Sequence, residues 1–324
     1  MRYAQSDYVP QNIKSLRQEL PPFNACAVAD LSANSALRDY LNFYRLPAPN
    51  NRIKLLAGHL SDGDQQTHIM AWQPENAVGT AIVVHGYLDH IGLYRNLISE
   101  LLQRQLNVVC FDLIGHGLST GEPGYISSYG DYVRQLNQVI KATSESCTGP
   151  LHPLPLHGIG QSTGGAILLK QLIEQNDISN YPFSSLNLLA PLVHPNLWKF
   201  NRWAFKLTGR FRKTLKRVFR QNSHDPEFLY FLQHQDPFQP HRLPKAWISA
   251  MAEWIDEIEN HSGSAFPVNL IQGDDDGTLD WQYNLKLLKE KLPNMRLSMI
   301  EGAGHHMVNE RQDLREKIFA ALKF

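Results

Sequence analysis

At 324 residues the chain exceeds a single small core and suits one large catalytic domain with an insertion, or two domains. Hydrophobic residues make up 43% and charged residues 19%, which excludes a disordered or fibrous chain. Lys plus Arg and Asp plus Glu both total 31, so the net charge of zero gives no electrostatic reason to expect a nucleic-acid partner. Residues 1–20 mix Arg, Gln, Asp, Asn, Lys and Glu and lack the apolar stretch of a secretory signal. No run approaches the roughly 18 apolar residues of a membrane span. Cys26, Cys110 and Cys147 are odd in number and far apart, a pattern of reduced thiols, and the expected location is cytoplasmic.

Residues 53–60 and 68–72 flank the turn-rich Ser61-Asp62-Gly63-Asp64 and predict an antiparallel hairpin at a sheet edge. Residues 79–86, GTAIVVHG, form a short β-branched apolar run closed by Gly, which reads as a buried strand. Similar runs follow at 106–112, 154–160, 186–190, 268–273 and 295–300, with helical spacing at 129–143, 163–175 and 281–292 between them. Strands alternating with helices of this length predict an α/β fold, a mostly parallel sheet with helices on both faces. The alternation breaks over residues 195–264, where helical spacing continues without a convincing buried strand. This stretch reads as a helical cap inserted into a core of residues 51–194 and 265–324, with residues 1–50 as an N-terminal extension. Within the cap, Phe200, Trp203, Leu207, Phe211, Leu215 and Phe219 recur at steps of three and four, which predicts one helix face, with Gly209 breaking it into two helices.

The strongest local signal is Gly160-Gln161-Ser162-Thr163-Gly164-Gly165, lying between a predicted strand and a predicted helix. A serine at so sharp a turn needs neighbours without Cβ two positions before and after it, because strand and helix pass almost in contact there. Gly160 and Gly164 fill those positions. The turn also aims the Thr163 amide, at a helix N-terminus, toward the space beside the Ser162 hydroxyl. A serine hydroxyl is a poor nucleophile at neutral pH, so the pattern requires a His to take its proton and a carboxylate to orient that His. Both should follow the serine in chain order. Of fourteen histidines, only His305 and His306 follow the last predicted strand. Asp274, Asp275 and Asp276 are three adjacent candidates for the acid.

These segments resemble the monoacylglycerol lipase and lysophospholipase-like branch of the α/β-hydrolases, across roughly residues 50–322. The family's H-G-x-x-x-H is matched by His85-Gly86-Tyr87-Leu88-Asp89-His90, followed by Tyr94. Its D-x-x-G-H-G-x-S is matched in full from Asp112 to Ser119. The family's G-x-x-D selects Asp276 after Gly273. Its G-x-x-H-x-x-x-x-E selects His305 and matches Glu310. Ser223-His224-Asp225-Pro226 and the later Asp236-Pro237 are similar to the family's cap. The resemblance implies an eight-stranded sheet, a Ser162, Asp276 and His305 triad, and the backbone N–H of Tyr87 as a second oxyanion donor beside that of Thr163. Gln161 departs from the His that many members carry before the nucleophile, with the mechanism untouched.

Beside these, Asp112, His116 and His85 read as turn-closing residues, Asp274 and Asp275 as solvated loop charges, and Asp280 as a helix cap. No metal-ligand spacing appears, and no metal or cofactor is expected. Nine basic residues, Lys199, Arg202, Lys206, Arg210, Arg212, Lys213, Lys216, Arg217 and Arg220, fall together with no acid among them. Two readings of this stretch stand: a basic face held against an anionic bilayer at the inner membrane surface, or a cap helix whose outer face is merely solvated. The expected partner is a small-molecule lipid or ester. A monoacylglycerol or lysophospholipid is the first substrate class, against an aminopeptidase or short-chain carboxylesterase with the same triad, or a non-catalytic binding protein on the same fold.

Overall fold

The computed structural model describes residues 15–23, 29, 33–144, 151, 154–175, 177–198 and 214–324. Ahead of the sheet lie α1 (Leu16–Glu19) and α2 (Ser35–Tyr44). The Asn34 side chain starts α2 by accepting from the Leu37 N–H, and Arg45, at φ 53°, ends it. Leu37, Tyr40, Leu41 and Tyr44 are buried from this helix and join the same apolar cluster as the strands behind them. This part of the N-terminal extension is therefore integral to the core.

β1 (Ile53–Asp62) and β2 (Gln65–Pro74) form the predicted edge hairpin, β1 longer at its turn end and β2 at both ends than the apolar spacing indicated. β3 (Gly79–Val84), α3 (Arg95–Gln103), β4 (Leu106–Phe111), α4 (Tyr129–Ser144), β5 (Leu156–Gln161), α5 (Thr163–Ile173) and β6 (Ser185–Leu189) follow in strict alternation after β3. The eight-stranded sheet runs β1-β2-β4-β3-β5-β6-β9-β10, with β9 (Val268–Gly273) and β10 (Arg296–Ile300) added after the insertion. Only the β1–β2 and β2–β4 pairs are antiparallel, so the sheet is mixed at one edge and parallel elsewhere. Every residue of β3, β4, β5 and β9 is buried, as strands covered on both faces must be. One apolar cluster lies under α2, α3 and the C-terminal helix, the other under α4 and α5, so both faces are covered.

Between β6 and β9 the chain carries β7 (Thr214–Lys216), α6 (Pro226–His234), β8 (Arg242–Pro244) and α7 (Lys245–Asn260) among the described residues. The expectation of a single helical face through Leu215 and Phe219 fails at that end. Leu215 sits in β7, paired antiparallel with Leu243 of β8, and the Arg217 guanidinium lies over the Phe219 ring at 4.2 Å. The pairing partner is a segment almost thirty residues away, which periodicity within 200–219 cannot register. Phe200, Trp203, Leu207, Gly209 and Phe211 lie outside the described residues, as do Cys26 and Cys147; Cys110 is a buried free thiol in β4. The Asp225 side chain starts α6 by accepting from the amides of Glu227 and Phe228. α7 turns Ala250, Met251, Trp254, Ile255 and Ile258 inward, and the Trp254 indole donates to the Leu192 carbonyl at 2.9 Å. α8 (Trp281–Lys291), capped by Asp280, and α9 (Gln312–Ala320) complete the chain.

Candidate active site

Ser162 occupies a turn that few residues tolerate, with φ 54° and ψ −111° immediately before α5. Its own N–H donates to Leu189 O at 2.8 Å, while its carbonyl accepts from the amides of Ala166 and Leu192, both at 3.0 Å. A Cβ on Gly160 would lie 2.5 Å from the Gly164 backbone, and one on Gly164 would lie 2.0 Å from the Val84 carbonyl oxygen. Strand, turn and helix can approach this closely only because both positions are glycine. The result is a half-buried hydroxyl at the carboxyl ends of β3 and β5, with the first free amides of α5 beside it.

The structure brings Ser162, Asp276 and His305 together. His305 Nε2 lies 2.9 Å from Ser162 Oγ, and His305 Nδ1 lies 2.8 Å from Asp276 Oδ2. Asp276 follows β9, and His305 follows β10, so two neighbouring parallel strands deliver them to the same sheet edge as β5. The second oxygen of Asp276 accepts from the amides of Thr278 and Leu279, and Gln272 donates to the first at 3.1 Å. Burial alone would raise this carboxyl's pKa. The His305 imidazole outweighs it, with hydrogen bonds from His305, the Leu279 amide and Gln272, and holds the group below the usual carboxylate range. An ionised Asp276 can only accept, so Nδ1 of His305 carries the proton and Nε2 is left to accept from Ser162.

The other two aspartates of the run are turned away. Asp274 is exposed and accepts from the Gly302 amide, and Asp275 is exposed and meets His224 at 2.9 Å. His306 points elsewhere too, with Nε2 3.1 Å from Asp89 Oδ1. Tyr87 lies half-buried in the loop after β3, its ring stacked on Trp247 of α7 at 3.7 Å between centroids. Thr163 is the first residue of α5 and fully buried.

The residues expected to close turns do so. Asp112 Oδ2 meets His68 Nδ1 and the Leu118 amide at 2.8 Å each, and its other oxygen accepts from the Ile91 amide. His85 Nε2 accepts from the Leu113 amide, and His116 Nδ1 lies 2.9 Å from the Ile114 carbonyl. Several contacts escaped the sequence. The Gln161 side chain donates to the His305 carbonyl at 2.9 Å, tying the loop after β10 to the strand that ends at Ser162. His90 of the H-G-x-x-x-H segment pairs with Asp236 at 3.0 Å, so two segments of the resemblance, far apart in sequence, meet in space. Gln239 donates to the Leu88 carbonyl and His306 N–H to Asn222 O, so the inserted segment grips both loops of the site. Trp247 had no sequence signal at all.

Sheet order, serine turn and side-chain trio define an α/β-hydrolase. A family model described as "Hydrolase_4: Serine aminopeptidase, S33" matches residues 75–312, and the chain belongs to that family. Over 262 residues it is 24% identical to the monoglyceride lipase homolog of Monkeypox virus, covering 78% of this chain and 91% of the relative. Over 140 residues it is 31% identical to human monoglyceride lipase, covering 43% of this chain and 44% of that protein. Among solved structures, a soluble variant of monoglyceride lipase from Saccharomyces cerevisiae superposes with a TM-score of 0.68 at 17% identity, over 85% of this chain and 96% of the other.

Proposed function

We propose that this protein is a serine hydrolase that cleaves the carboxylic ester of a monoacyl lipid, a monoacylglycerol or lysophospholipid, through an acyl-enzyme. The observation that carries the reading is the continuous contact from Asp276 through His305 to Ser162, at 2.8 and 2.9 Å. Ser162 attacks the ester carbonyl while His305 Nε2 takes its proton, and the Asp276 carboxylate stabilises the resulting imidazolium. The amides of Tyr87 and Thr163 receive the charge on the carbonyl oxygen. His305 then protonates the leaving alcohol and draws a proton from water, which releases the acid and restores Ser162. The balance needs only water as co-reactant.

Ester hydrolysis is supported by the likeness to monoglyceride lipases. The family description also names aminopeptidases, which must pair a substrate ammonium with a carboxylate. Two acids of α7, Glu257 and Glu259, are already engaged by other side chains, which favours the ester. Glu257 is engaged by Lys170 at 2.6 Å, and Glu259 by His194 at 2.8 Å and Tyr283 at 2.6 Å. An acyl chain is expected to lie against the inserted segment, whose Trp247 and Phe228 rings face Tyr87 and His306. Hydrolysis of p-nitrophenyl esters of increasing chain length tests this. The specificity constant, kcat/KM, should rise from acetate toward medium and long acyl chains, at about tenfold for each 1.4 kcal/mol of chain burial. A preference for acetate would assign the site to short esters.

The reading extends to a peripheral contact with an anionic membrane. Six of the nine basic residues between Lys199 and Arg220 lie outside the described residues. Of the three described ones, Lys216 and Arg220 are exposed beside Leu215 and Val218, the latter 74% exposed, while Arg217 is half-buried and donates to Gln239. No described helix is long and apolar enough to cross a membrane. Co-sedimentation with anionic vesicles is expected to exceed that with neutral vesicles and to weaken as salt shortens the screening length. Indifference to both lipid charge and salt would leave this stretch as a solvated cap surface.

A further inference from the structure

We infer that Tyr94, anchored on the Asp89 carboxylate that His306 engages in turn, is a positioning residue for the Tyr87 amide. The inference rests on the ester-hydrolase reading, in which that amide receives the developing negative charge. Three buried side chains link the loop of the base to the loop of the oxyanion donor, and none of them touches the reacting atoms in the proposed chemistry.

The direction of each bond in the chain follows from one charge. Burial would raise the pKa of Asp89, yet the His306 interaction, its hydrogen bond and that of Tyr94 outweigh burial and hold the carboxyl below its ordinary range. Ionised, it can only accept. The Tyr94 O–H therefore donates to Asp89 Oδ2 at 2.9 Å, which frees the phenolic oxygen to accept the Gly86 N–H, also at 2.9 Å. Burial and the neighbouring Asp89 push the Tyr94 pKa well above its ordinary value, so this hydroxyl keeps its proton throughout the working range. His306 closes the chain at Asp89 Oδ1, 3.1 Å away.

The carbonyl side of Gly86 carries restraints of its own. The Leu113 N–H donates to His85 Nε2 at 2.9 Å, so the proton of this imidazole sits on Nδ1, which donates to the Gly86 carbonyl at 2.7 Å. Burial lowers the pKa of His85 and keeps the ring neutral, as that pattern requires. The Asp89 amide donates to the same carbonyl at 3.1 Å. The peptide from Gly86 to Tyr87 is planar, so its C=O and the opposed Tyr87 N–H swing as one body, and the contacts on the C=O restrain that swing from one side only. Glycine has the widest choice of backbone conformations, and without restraint on both flanking planes this amide would sample several directions. Tyr94 restrains the plane before Gly86, and His85 with the Asp89 amide restrains the plane after it. His306 adjoins His305, so the same chain sets where the base loop stands relative to the oxyanion donor. The three side chains are nearly inaccessible, at 6% for Asp89, 1% for Tyr94 and 4% for His306, so water does not compete for these bonds.

The test is Tyr94→Phe, which keeps the ring and removes only the hydroxyl. Loss of an entire oxyanion donor costs about 100- to 1000-fold, so misdirecting one should lower kcat by about 10- to 100-fold. KM for a p-nitrophenyl ester should stay within about twofold, and the affinity for octylboronic acid, which forms a tetrahedral adduct on serine, should fall by the same factor as kcat. A purely structural tyrosine would lower the melting temperature and leave both kcat per folded molecule and boronate affinity unchanged, which would overturn the inference. If Tyr94→Phe does not fold, His306→Ala and His306→Gln take its place. Alanine should lose kcat and glutamine, which returns a donor to Asp89, should recover it; absence of recovery would count against the chain. Ser162→Ala is run alongside. Full activity there sinks the ester-hydrolase reading, whereas an inactive Ser162→Ala beside a full-speed Tyr94→Phe sinks only the positioning role.

Discussion

Replacing Ser162 by alanine should lower turnover of p-nitrophenyl esters by about 10⁴- to 10⁶-fold while leaving the fold intact. The substitution removes one atom, and the side-chain partner it breaks is His305 Nε2. The strained backbone at φ 54° is held by the Leu189, Ala166 and Leu192 hydrogen bonds, all of them main-chain, so alanine inherits the same turn. In the proposed chemistry the Tyr87 and Thr163 amides remain with only water left to attack, and oxyanion donors and binding alone leave about 10³- to 10⁴-fold over solution. Initial rates measured beside a thermal melt separate the two effects. A melting temperature near wild type with unchanged rate would remove Ser162 from the chemistry and leave the His305 contact as packing.

The serine turn was legible because its constraint is local. Gly160, Ser162 and Gly164 sit within five residues, and the strand before and helix after are fixed by spacing that any window of the chain displays. The proposed acid and base were legible only to within a short run. Nothing in Asp274-Asp275-Asp276 or His305-His306 distinguishes neighbours by chemistry, and the resemblance made the choice. The structure separates them by direction: Asp276 is 5% exposed and faces His305, while Asp274 and Asp275 are exposed. His306 shows in sequence only as the second of two adjacent histidines, and in space it reaches Asp89, 217 positions away.

Long-range pairing accounts for the remaining gaps. β7 is three residues long and exists because β8 offers its backbone, so Leu215 carries helical spacing in sequence and sits in an extended strand in space, with Phe219 beyond it in no regular element. Spacing reports a face, and it cannot report a partner. The same holds for Gln161, whose side-chain amide reaches the His305 carbonyl across the site; a glutamine in that place looks neutral until the loop it holds is known. The sequence therefore reveals which residue types the chemistry needs and where the chain turns, and withholds the buried hydrogen bonds that aim them.

Asp276→Asn should cost about 10⁴-fold in kcat at neutral pH, far more than the loss of one ordinary hydrogen bond. The reason lies in what surrounds each oxygen. Oδ1 accepts from the Thr278 and Leu279 amides at 2.9 and 3.0 Å, so the carbonyl oxygen of an introduced asparagine must take that side. Its NH2 then faces His305 Nδ1 and Gln272 Nε2, where the carboxylate had accepted. Gln272 also donates to the Gly273 carbonyl at 3.0 Å, so turning its amide over would sacrifice that bond. The imidazole has the cheaper adjustment. It moves its proton from Nδ1 to Nε2, accepts from the asparagine, and presents an N–H to Ser162 where a lone pair is required. The fold and the His305 position survive, and the base is lost through its tautomer. Nitrogen-15 shifts of the His305 ring would register the change directly, with protonated Nδ1 in the wild type and protonated Nε2 in the variant. A variant that keeps the Nδ1 proton and loses less than about tenfold in kcat would show that Asp276 orients the ring without setting its tautomer.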